Sequence, residues 1–382
     1  MQTAFVTEEK KSRPKRGPIW RWAVLDLLLA GGMLFLADAA VFRSGLYFQI
    51  AEPDSAAAAF EREMRLERAR ERDHRKQILI VGDSRSQAIR PRLAEEGSKQ
   101  FGTVFANVNV QGSTPRAWYY LLRALDPDAN RYNVLVFGVD NYDDNDDNAR
   151  SESTQEVEMP VSSLHLRDLF DYPWTFRGPG YRRDAFLEIV IEGSAYKRDL
   201  QELLLHPVER ARKTAQSHES YGPYMWDYVG SERSLAGLEV DWAAGKLKFP
   251  ESADAATRDI LQVWVDNPAY PDTGSKAALR REWLGRIARH YRGSHTLLVF
   301  VRLPTTPIPL PADRQPAPIR GMLRDLAAQQ SNVLLLDEHL CDGLERPEYF
   351  YDYMHLNAVG ATEVTKILVD QLRMILGRIP RG

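Results

Sequence analysis

The hydrophobic pattern of the chain changes character at about residue 77. After this point, short runs of β-branched and other apolar residues alternate with longer amphipathic stretches. Five of the runs predict buried strands, at 78–81, 104–110, 134–137, 296–301 and 333–336. Near-continuous apolar strands are typical of parallel sheets that are covered on both faces. The pattern therefore predicts a doubly wound, flavodoxin-like α/β fold with five parallel strands in the order 2-1-3-4-5.

Helices are predicted between or after these strands, at 86–97, 116–125, 276–291, 318–329 and 358–376. The segment between the third and fourth strands is much too long for one crossover connection. We therefore predict an insertion at about 143–290, which contains a helix at 185–205. Residues 77–382, including this insertion, form one domain by this interpretation.

The N-terminal part of the chain has the pattern of a membrane segment. Residues 1–18 are basic, and residues 19–42 are mostly apolar. About 20 apolar residues cross a bilayer as a helix, and basic residues before them favour a cytoplasmic N-terminus. We therefore expect a single-pass anchor in the cell (inner) membrane, with the rest of the chain periplasmic or otherwise extracytoplasmic. Two alternatives stay open: a signal peptide cleaved near Ala37 and Ala39, and a buried helix of a soluble protein.

Two acidic residues, Asp26 and Asp38, interrupt the apolar stretch. A carboxylate at the centre of a membrane helix costs about 2.5–3.5 kcal/mol by insertion scales. Asp26 is the deeper of the two, so we consider it a candidate contact with a partner membrane protein. The alternative is that both carboxylates lie at the level of the lipid headgroups.

Residues 43–76 connect the apolar stretch to the α/β domain. From residue 54 onward they are Ala-rich and then densely charged, without Pro or Gly. Opposite charges four residues apart, such as Glu61 and Arg65, stabilise a solvent-exposed helix. This pattern predicts a charged helical stalk.

The composition narrows the classes of partner and cofactor. The chain has 382 residues, a formal net charge of −3 and a single cysteine, Cys341. A nucleic-acid binder would carry a strongly basic surface, so this class is not expected. The sequence also lacks a glycine-rich phosphate loop and a Cys/His set with zinc spacing, so we expect no cofactor and no metal.

A serine, a histidine and an aspartate occupy positions that this fold brings to one edge of the sheet. Ser84 follows the first strand, and Asp352 and His355 precede the last helix. Open α/β sheets bind ligands at the carboxyl ends of their strands. A serine becomes a nucleophile when a histidine removes its proton, and a carboxylate orients the histidine. We therefore predict a catalytic triad for acyl transfer, with a helix cap as the alternative role for Ser84.

Acyl transfer also requires hydrogen-bond donors for the oxyanion of the tetrahedral intermediate. The backbone N–H groups of Ser84 and Gly112 are candidates, because these residues follow the first and second strands. Asp140 and Asn141 follow the third strand, and both are candidates for the remaining polar group of this oxyanion hole.

These segments resemble the sequence blocks of the SGNH (GDSL-like) hydrolase superfamily. The residues that carry the resemblance are Gly82-Asp83-Ser84, Gly112, the segment at Gly138 and Asp352-x-x-His355, within about 77–142 and 295–378. The chain also resembles the membrane-anchored branch of this superfamily in three features: the N-terminal anchor, the basic residue after Ser84 and the long insertion. The resemblance implies the α/β fold, the triad and acyl transfer beside a membrane-bound O-acyltransferase. In that branch the acceptors are exopolysaccharides such as alginate, or teichoic acids that receive D-alanine.

The third block departs from the family pattern. The family has Gly-x-Asn-Asp, in which the Asn amide donates to the oxyanion, whereas this chain has Gly138-Val139-Asp140-Asn141. An ionised Asp140 facing the oxyanion would repel it. Either Asn141 becomes the donor through a shifted loop, or two backbone donors remain, at a cost of about 10²–10³ in rate.

Two arginines at the same edge are candidate ligands for an anionic group of the substrate. Arg85 directly follows Ser84, and Arg302 ends the fourth strand. A surface salt bridge is the alternative role for Arg302, and a structural role is the alternative for Arg85.

The expected function is transfer of an acyl group, most simply acetyl, to a cell-surface polysaccharide through an acyl-serine intermediate. A membrane-bound O-acyltransferase is the expected partner that relays the acyl group across the membrane. Two alternatives stay open. An extracytoplasmic SGNH esterase or deacetylase would use the same triad with water as the acceptor, and a non-catalytic polysaccharide-binding accessory subunit would account for the altered third block.

Overall fold

The computed structural model describes residues 19–50, 55–71, 73–142, 152–220, 230–266, 275–311 and 321–377. The basic segment 1–18 and the acidic beginning of the insertion at 143–151 lie outside the described residues, as does the predicted start of a helix at 318.

A parallel five-stranded sheet forms the centre of the domain and confirms the predicted fold. Its strands have the order β2-β1-β3-β6-β7, which is 2-1-3-4-5 when only the sheet strands are counted. Val134 of β3 lies opposite Ile78 of β1 on one side and opposite Leu297 of β6 on the other. The described strands are β1 Lys76–Val81, β2 Thr103–Asn107, β3 Val134–Val139, β4 Glu239–Asp241, β5 Lys246–Lys248, β6 Leu297–Arg302 and β7 Val333–Leu335. β4 and β5 form a small antiparallel hairpin within the insertion.

Helices cover both faces of this sheet, so successive residues of one strand enter different cores. Ile78 and Ile80 of β1 belong to one apolar cluster, whereas Leu79 and Val81 belong to the other. The described helices are α1 Ile19–Asp38, α2 Leu46–Ile50, α3 Ala56–Ala69, α4 Pro91–Ser98, α5 Pro115–Leu125, α6 Thr154–Glu158, α7 Pro179–Val190, α8 Lys197–Leu205, α9 Pro207–Ser220, α10 Ala255–Asp266, α11 Ser275–His290, α12 Met322–Gln329 and α13 Ala358–Leu376. β4, β5 and helices α6 to α11 belong to the insertion after β3.

Two helices differ from their predicted bounds. The helix predicted at 86–97 is a 3₁₀ turn at Ser84–Ala88 followed by α4, which begins at Pro91. Proline lacks an N–H and has the φ angle of a first helical residue, so it favours a helix start at this position. The helix predicted at 185–205 is divided into α7 and α8 around Gly193, where a Cβ atom would lie 2.8 Å from a carboxylate oxygen of Asp38. The close approach of residues 38–42 therefore requires a glycine turn between the two helices.

The predicted charged stalk is wrong in one respect, because helix α3 is packed into the domain. The expected ion pair between Glu61 and Arg65 is present, but Glu61, Glu63 and Glu67 are buried. Glu67 accepts hydrogen bonds from the Tyr132 hydroxyl at 2.8 Å and from Arg131. Partners of these glutamates lie far away in the sequence, where the charge pattern of the segment does not reveal them. For this reason the pattern predicted an exposed helix.

The N-terminal helix is the one described helix that is long and apolar enough to cross a membrane. Residues Trp22–Arg43 satisfy this test, and 6% of the most apolar window is buried against the rest of the chain. Such a helix is consistent with a membrane anchor or with a signal sequence. Asp26 is exposed along it, whereas Asp38 is buried and accepts hydrogen bonds from the N–H groups of Glu192 and Gly193.

Candidate active site

The chain leaves β1 through a turn that presents the side chain of Ser84. Ser84 begins the 3₁₀ turn, and the residue that caps this turn is Asp83, whose Oδ1 atom accepts a hydrogen bond from the N–H of Arg85 at 3.0 Å. The alternative role of Ser84 as the cap is therefore filled by its neighbour. The Ser84 hydroxyl is left available for a different contact.

That contact comes from the loop before α13. The Oγ atom of Ser84 lies 2.8 Å from Nε2 of His355, and Nδ1 of His355 lies 2.7 Å from Oδ2 of Asp352. The structure thus brings the three predicted triad residues into one continuous chain of hydrogen bonds. These distances are within the range in which a base can remove a serine proton.

Backbone hydrogen bonds hold the aspartate and the histidine in this arrangement. Asp352 uses its second oxygen, Oδ1, to accept from the N–H groups of Met354 at 2.9 Å and His355 at 2.7 Å. Asn357 caps α13 by accepting from the N–H groups of Val359 and Gly360. Because a separate residue caps the helix, the Asp352 carboxylate remains directed at the imidazole.

The burial of the pair decreases from the aspartate to the histidine. The Asp352 side chain is 15% exposed and the His355 side chain is 22% exposed. The ring of Tyr351 stacks on His355 with 5.8 Å between centroids, and the Arg233 guanidinium lies 5.7 Å from the Tyr351 ring. The carboxylate is largely shielded from water, while one part of the imidazole remains accessible to a substrate.

The loop after β2 lies directly against the Ser84 turn. The Ser113 hydroxyl donates to the Gly82 carbonyl at 3.0 Å, and the Val110 N–H donates to the same oxygen at 3.3 Å. Between these contacts Gly112 has a φ of +69°, in the left-handed region that favours glycine. Within the described residues, no hydrogen bond from the N–H of Ser84 or of Gly112 is found. The N–H groups of Ser84 and Gly112 thus have no acceptor among the described residues, and Gly112 belongs to the loop that contacts the Ser84 turn. Donors without an internal acceptor are available to an oxyanion.

Asp140, which follows β3, forms an ion pair within the site. The Arg85 guanidinium forms an ion pair with Asp140 and a second one with Asp83, where Nη2 lies 2.7 Å from Oδ2. Both carboxylates are mostly buried, and the Arg85 side chain is 9% exposed. Arg85 therefore already binds two carboxylates of this chain. The arginine therefore reduces the repulsion that an unpaired Asp140 would exert on an oxyanion, although the three groups together keep one negative charge.

Asn141 is held by an arginine of the insertion. Arg280 donates to the Asn141 carbonyl at 2.6 Å and to its side-chain oxygen at 3.4 Å. Since the amide oxygen faces this guanidinium, the Asn141 side chain has a structural contact that its position in the sequence does not reveal.

Arg302 forms two ion pairs at the end of β6. Its guanidinium donates to Asp342 at 2.5 Å and to Glu345 at 2.7 Å. Burial alone would lower the pKa of Arg302, but the Glu345 and Asp342 carboxylates raise it above its ordinary value. The structure therefore places Arg302 in the salt bridge that sequence analysis gave as the alternative to substrate binding.

The insertion contacts the site on two sides, through residues that sequence analysis did not single out. On one side, the Gln155 amide donates to the Gln111 carbonyl at 3.2 Å, and the Thr114 hydroxyl donates to Glu156 at 2.9 Å. Burial raises the pKa of Glu156, against the lowering effect of the nearby Arg116 charge and the Thr114 hydrogen bond. The residues after β2 are thereby joined to α6.

On the other side, residues 230–235 pack on the loop that carries His355. The Ala358 N–H donates to the Ser231 carbonyl at 3.0 Å, and the Leu235 N–H donates to the Phe350 carbonyl at 2.9 Å. Gly230 has a φ of +79°, and a Cβ atom there would lie 2.5 Å from the Ala358 nitrogen. A glycine that follows an aromatic-rich segment was the one local signal of this close approach.

In comparisons with known proteins, no protein-family model and no curated protein sequence matches the chain. A serine hydroxyl, an imidazole, a carboxylate and two backbone donors at one sheet edge are the groups that acyl transfer requires.

Proposed function

We propose that the protein transfers an acyl group, most simply acetyl, to a cell-surface polysaccharide through an acyl-Ser84 intermediate. By this proposal it is a membrane-anchored protein of SGNH type whose acyltransferase domain is extracytoplasmic. The observation that carries the proposal is the hydrogen-bonded chain Asp352–His355–Ser84, with distances of 2.7 and 2.8 Å.

The proposed reaction has two halves. In the first, His355 Nε2 takes the Ser84 proton while Oγ attacks the acyl carbonyl carbon, and the N–H groups of Ser84 and Gly112 stabilise the oxyanion. The bond to the donor's leaving group then breaks, and His355 returns the proton to that group. In the second half, His355 takes a proton from a sugar hydroxyl, whose oxygen attacks the acyl carbon. The bond from this carbon to Ser84 Oγ then breaks, the acyl ester of the sugar forms, and His355 returns the proton to Oγ. Asp352 orients the imidazole and stabilises its cation in both halves.

The position of the N-terminal helix supports the remaining parts of the proposal. An anchor preceded by basic residues orients the domain to the extracytoplasmic side, away from cytoplasmic acyl donors. We therefore propose that a membrane-bound O-acyltransferase supplies the acyl group. Asp26 is exposed on α1, and a carboxylate in that position is costly without a polar partner.

The contacts of the insertion favour transfer over hydrolysis. The insertion packs against the loop after β2 through Gln155 and against the His355 loop through Ser231. By this proposal the two segments border the acceptor, and an acceptor held beside the acyl-serine reacts in preference to free water. An esterase would use the same first half-reaction, so the two functions separate only in the acceptor step.

The test is complementation of cells from which the native copy has been removed. Cells that carry the wild-type protein should restore O-acetyl groups on the surface polysaccharide, and cells that carry Ser84→Ala should not. Ser331→Ala is the matched control, because Ser331 is exposed beside β7 at the opposite edge of the sheet. Normal acetylation with a Ser84→Ala protein present at wild-type level would overturn the catalytic proposal and favour a polysaccharide-binding subunit.

A second experiment separates the transferase from the esterase. Purified full-length protein is first acylated, and the decay of the acyl-enzyme is then followed with and without added polysaccharide. A transferase should lose the acyl group faster with polysaccharide and yield acylated sugar. An esterase should lose it at the same rate in both samples, with free acid as the product.

A further inference from the structure

The extracytoplasmic end of α1 is fixed to the insertion by several contacts. Asp38 accepts hydrogen bonds from the N–H groups of Glu192 at 2.9 Å and Gly193 at 2.7 Å. Arg43 donates to the Ile189 carbonyl at 2.5 Å. The end of the apolar helix and the turn between α7 and α8 therefore lie at the same level.

Aromatic packing extends this junction beyond the helix end. The Phe42 ring lies 5.1 Å from the Tyr196 ring and 5.2 Å from the Tyr47 ring. Leu203 of α8 packs against the same apolar cluster, and α2 packs against α9. The tip of the α8–α9 hairpin is thus adjacent to residues that follow the membrane helix within one or two turns.

Large apolar side chains project from the insertion next to this junction. Leu204, Leu205 and Val208 at the α8–α9 tip are 81%, 71% and 82% exposed. Phe186 and Leu187, one turn before Ile189 and Val190 at the end of α7, are 53% and 48% exposed. We call these five residues the apolar rim. Contiguous exposed apolar surface marks a site that binds protein or membrane, and both parts of the rim lie near the same junction.

We propose that the apolar rim inserts into the extracytoplasmic leaflet of the bilayer that α1 spans. The proposal rests on the membrane anchor of the proposed function but not on its acyl-transfer chemistry. Asp38 and Arg43 bind the end of α7 and the turn after it, and Phe42 and Tyr47 belong to the cluster that Leu203 of α8 joins. Both parts of the rim therefore lie near the point where α1 leaves the hydrocarbon in this proposal. Arg212 lies one helical turn after Val208 and is exposed, and basic residues beside an apolar tip are typical of helices that lie in the headgroup region.

The consequence is that the domain contacts the membrane at the anchor and at the rim together. A single helix would leave the domain free to tilt, whereas a second contact fixes its orientation relative to the bilayer. The triad is then held at a defined position beside a membrane partner.

The proposal is tested by measuring the depth of the rim in lipid vesicles. Full-length protein with Leu204→Cys is labelled with a nitrobenzoxadiazole thiol probe and reconstituted in vesicles with or without lipids that carry a nitroxide near the headgroup. The native Cys341 is 1% exposed, so the unsubstituted protein serves as the labelling control. Loss of probe emission in the nitroxide vesicles is expected.

Two further labelled variants make the result decisive. Leu29→Cys reports on the anchor. Met374→Cys is the matched control, because it is an exposed apolar residue, 59% exposed, on the far side of the domain. The Lys76 side chain donates to the carbonyl of Leu376, two residues after Met374. The 14-residue helix α3 connects the junction to the segment before Lys76. At 1.5 Å per residue this helix is about 20 Å long.

The outcomes distinguish the rim from the anchor. Quenching at Leu204 and Leu29 but not at Met374 supports the proposal. Quenching at Leu29 alone overturns it, and the rim is then the surface for a partner protein. No quenching at any of the three positions overturns both the rim proposal and the membrane anchor of the proposed function.

Discussion

Two histidine–aspartate pairs lie near the end of the chain, and their local geometry is almost the same. The Nδ1 atom of His355 lies 2.7 Å from Oδ2 of Asp352, and the Nδ1 atom of His339 lies 2.8 Å from Oδ2 of Asp342. In each pair the two residues are three positions apart in the sequence. A search for a histidine beside a carboxylate would find both.

The surroundings of the two pairs separate them. The His339 side chain is 79% exposed, and Asp342 is shared with Arg302. The His355 side chain is 22% exposed, and its other nitrogen faces the Ser84 hydroxyl at 2.8 Å. Within the described residues, no hydrogen bond to Nε2 of His339 is found. A His–Asp contact is therefore insufficient for a site, and the third group together with shielding from water defines the candidate active site.

The largest effect is expected from loss of either histidine, tested in parallel. His355→Gln removes the base, and the turnover number with p-nitrophenyl acetate should fall by a factor of about 10⁶, as for the histidine of other serine triads. His339→Gln should leave the turnover number unchanged. Equal activity of the two variants would contradict the assignment of His355 as the base.

A smaller loss is expected at the two aspartates. Asp352→Asn preserves size and hydrogen bonding but favours the wrong imidazole tautomer, so the turnover number should fall by about 10⁴. Asp342→Asn is the matched variant on the surface pair and should have the activity of the wild type. Steady-state kinetics of the purified full-length proteins measure both, and a fully active Asp352→Asn protein would refute the orienting role.

The arginine beside the serine should have an intermediate effect. Arg85→Met leaves Asp83 and Asp140 unpaired near the developing oxyanion, and we expect a loss of about 10²–10³ in turnover number. A second substitution, Asp140→Asn, should restore part of this loss because it removes one of the two unpaired charges.

The control for this cycle is Arg123→Met, which breaks a comparable pair with Asp168 away from the site. It should lower stability without the specific loss of turnover. If Asp140→Asn does not improve the Arg85→Met protein, charge compensation by Arg85 is the wrong explanation for the altered third block.

The smallest predicted effect is the pH dependence of stability that arises from the exposed pair His339–Asp342. The hydrogen bond and the charge of Asp342 raise the pKa of His339 above its ordinary value. A histidine whose pKa is higher in the folded than in the unfolded protein stabilises the folded state at pH values below the unfolded-state pKa. This stabilisation is lost as pH rises through the folded-state pKa. Because the ring is exposed, the change in stability should be small.

Nuclear magnetic resonance of the His339 ring protons measures this pKa directly. In the wild-type protein the ring should titrate at a higher pH than in Asp342→Asn. Identical titration midpoints in the two proteins would show that the surface pair is not formed in solution.

The sheet and the triad could be predicted from the sequence because the patterns that indicate them are local. Apolar runs such as 134–137 predicted buried strands, and the positions after the strands predicted which edge would carry Ser84. The topology then brought His355 to the same edge, although the two residues are separated by most of the domain.

The contacts that sequence analysis missed depend on partners far away in the chain. The acidic residues of α3 suggested a solvated stalk, but Glu67 binds Tyr132 and Arg131. Asp140 suggested an unfavourable charge next to the oxyanion, but it forms an ion pair with Arg85. A charge pattern gives the number of ionic groups in a segment, whereas the partner of each group is determined by tertiary packing.

The central claim is that Ser84 accepts the acyl group, and intact mass measurement tests it most directly. Full-length protein in detergent is incubated with p-nitrophenyl acetate, quenched in acid and analysed whole and after proteolysis. The full chain is required because Phe42 and Tyr47 belong to a buried cluster of the domain. We predict a mass gain of one acetyl group on the peptide that contains Ser84, absent in Ser84→Ala and present in Ser331→Ala. A folded wild-type protein that gains no acetyl group, or gains it equally in Ser84→Ala, would contradict the claim.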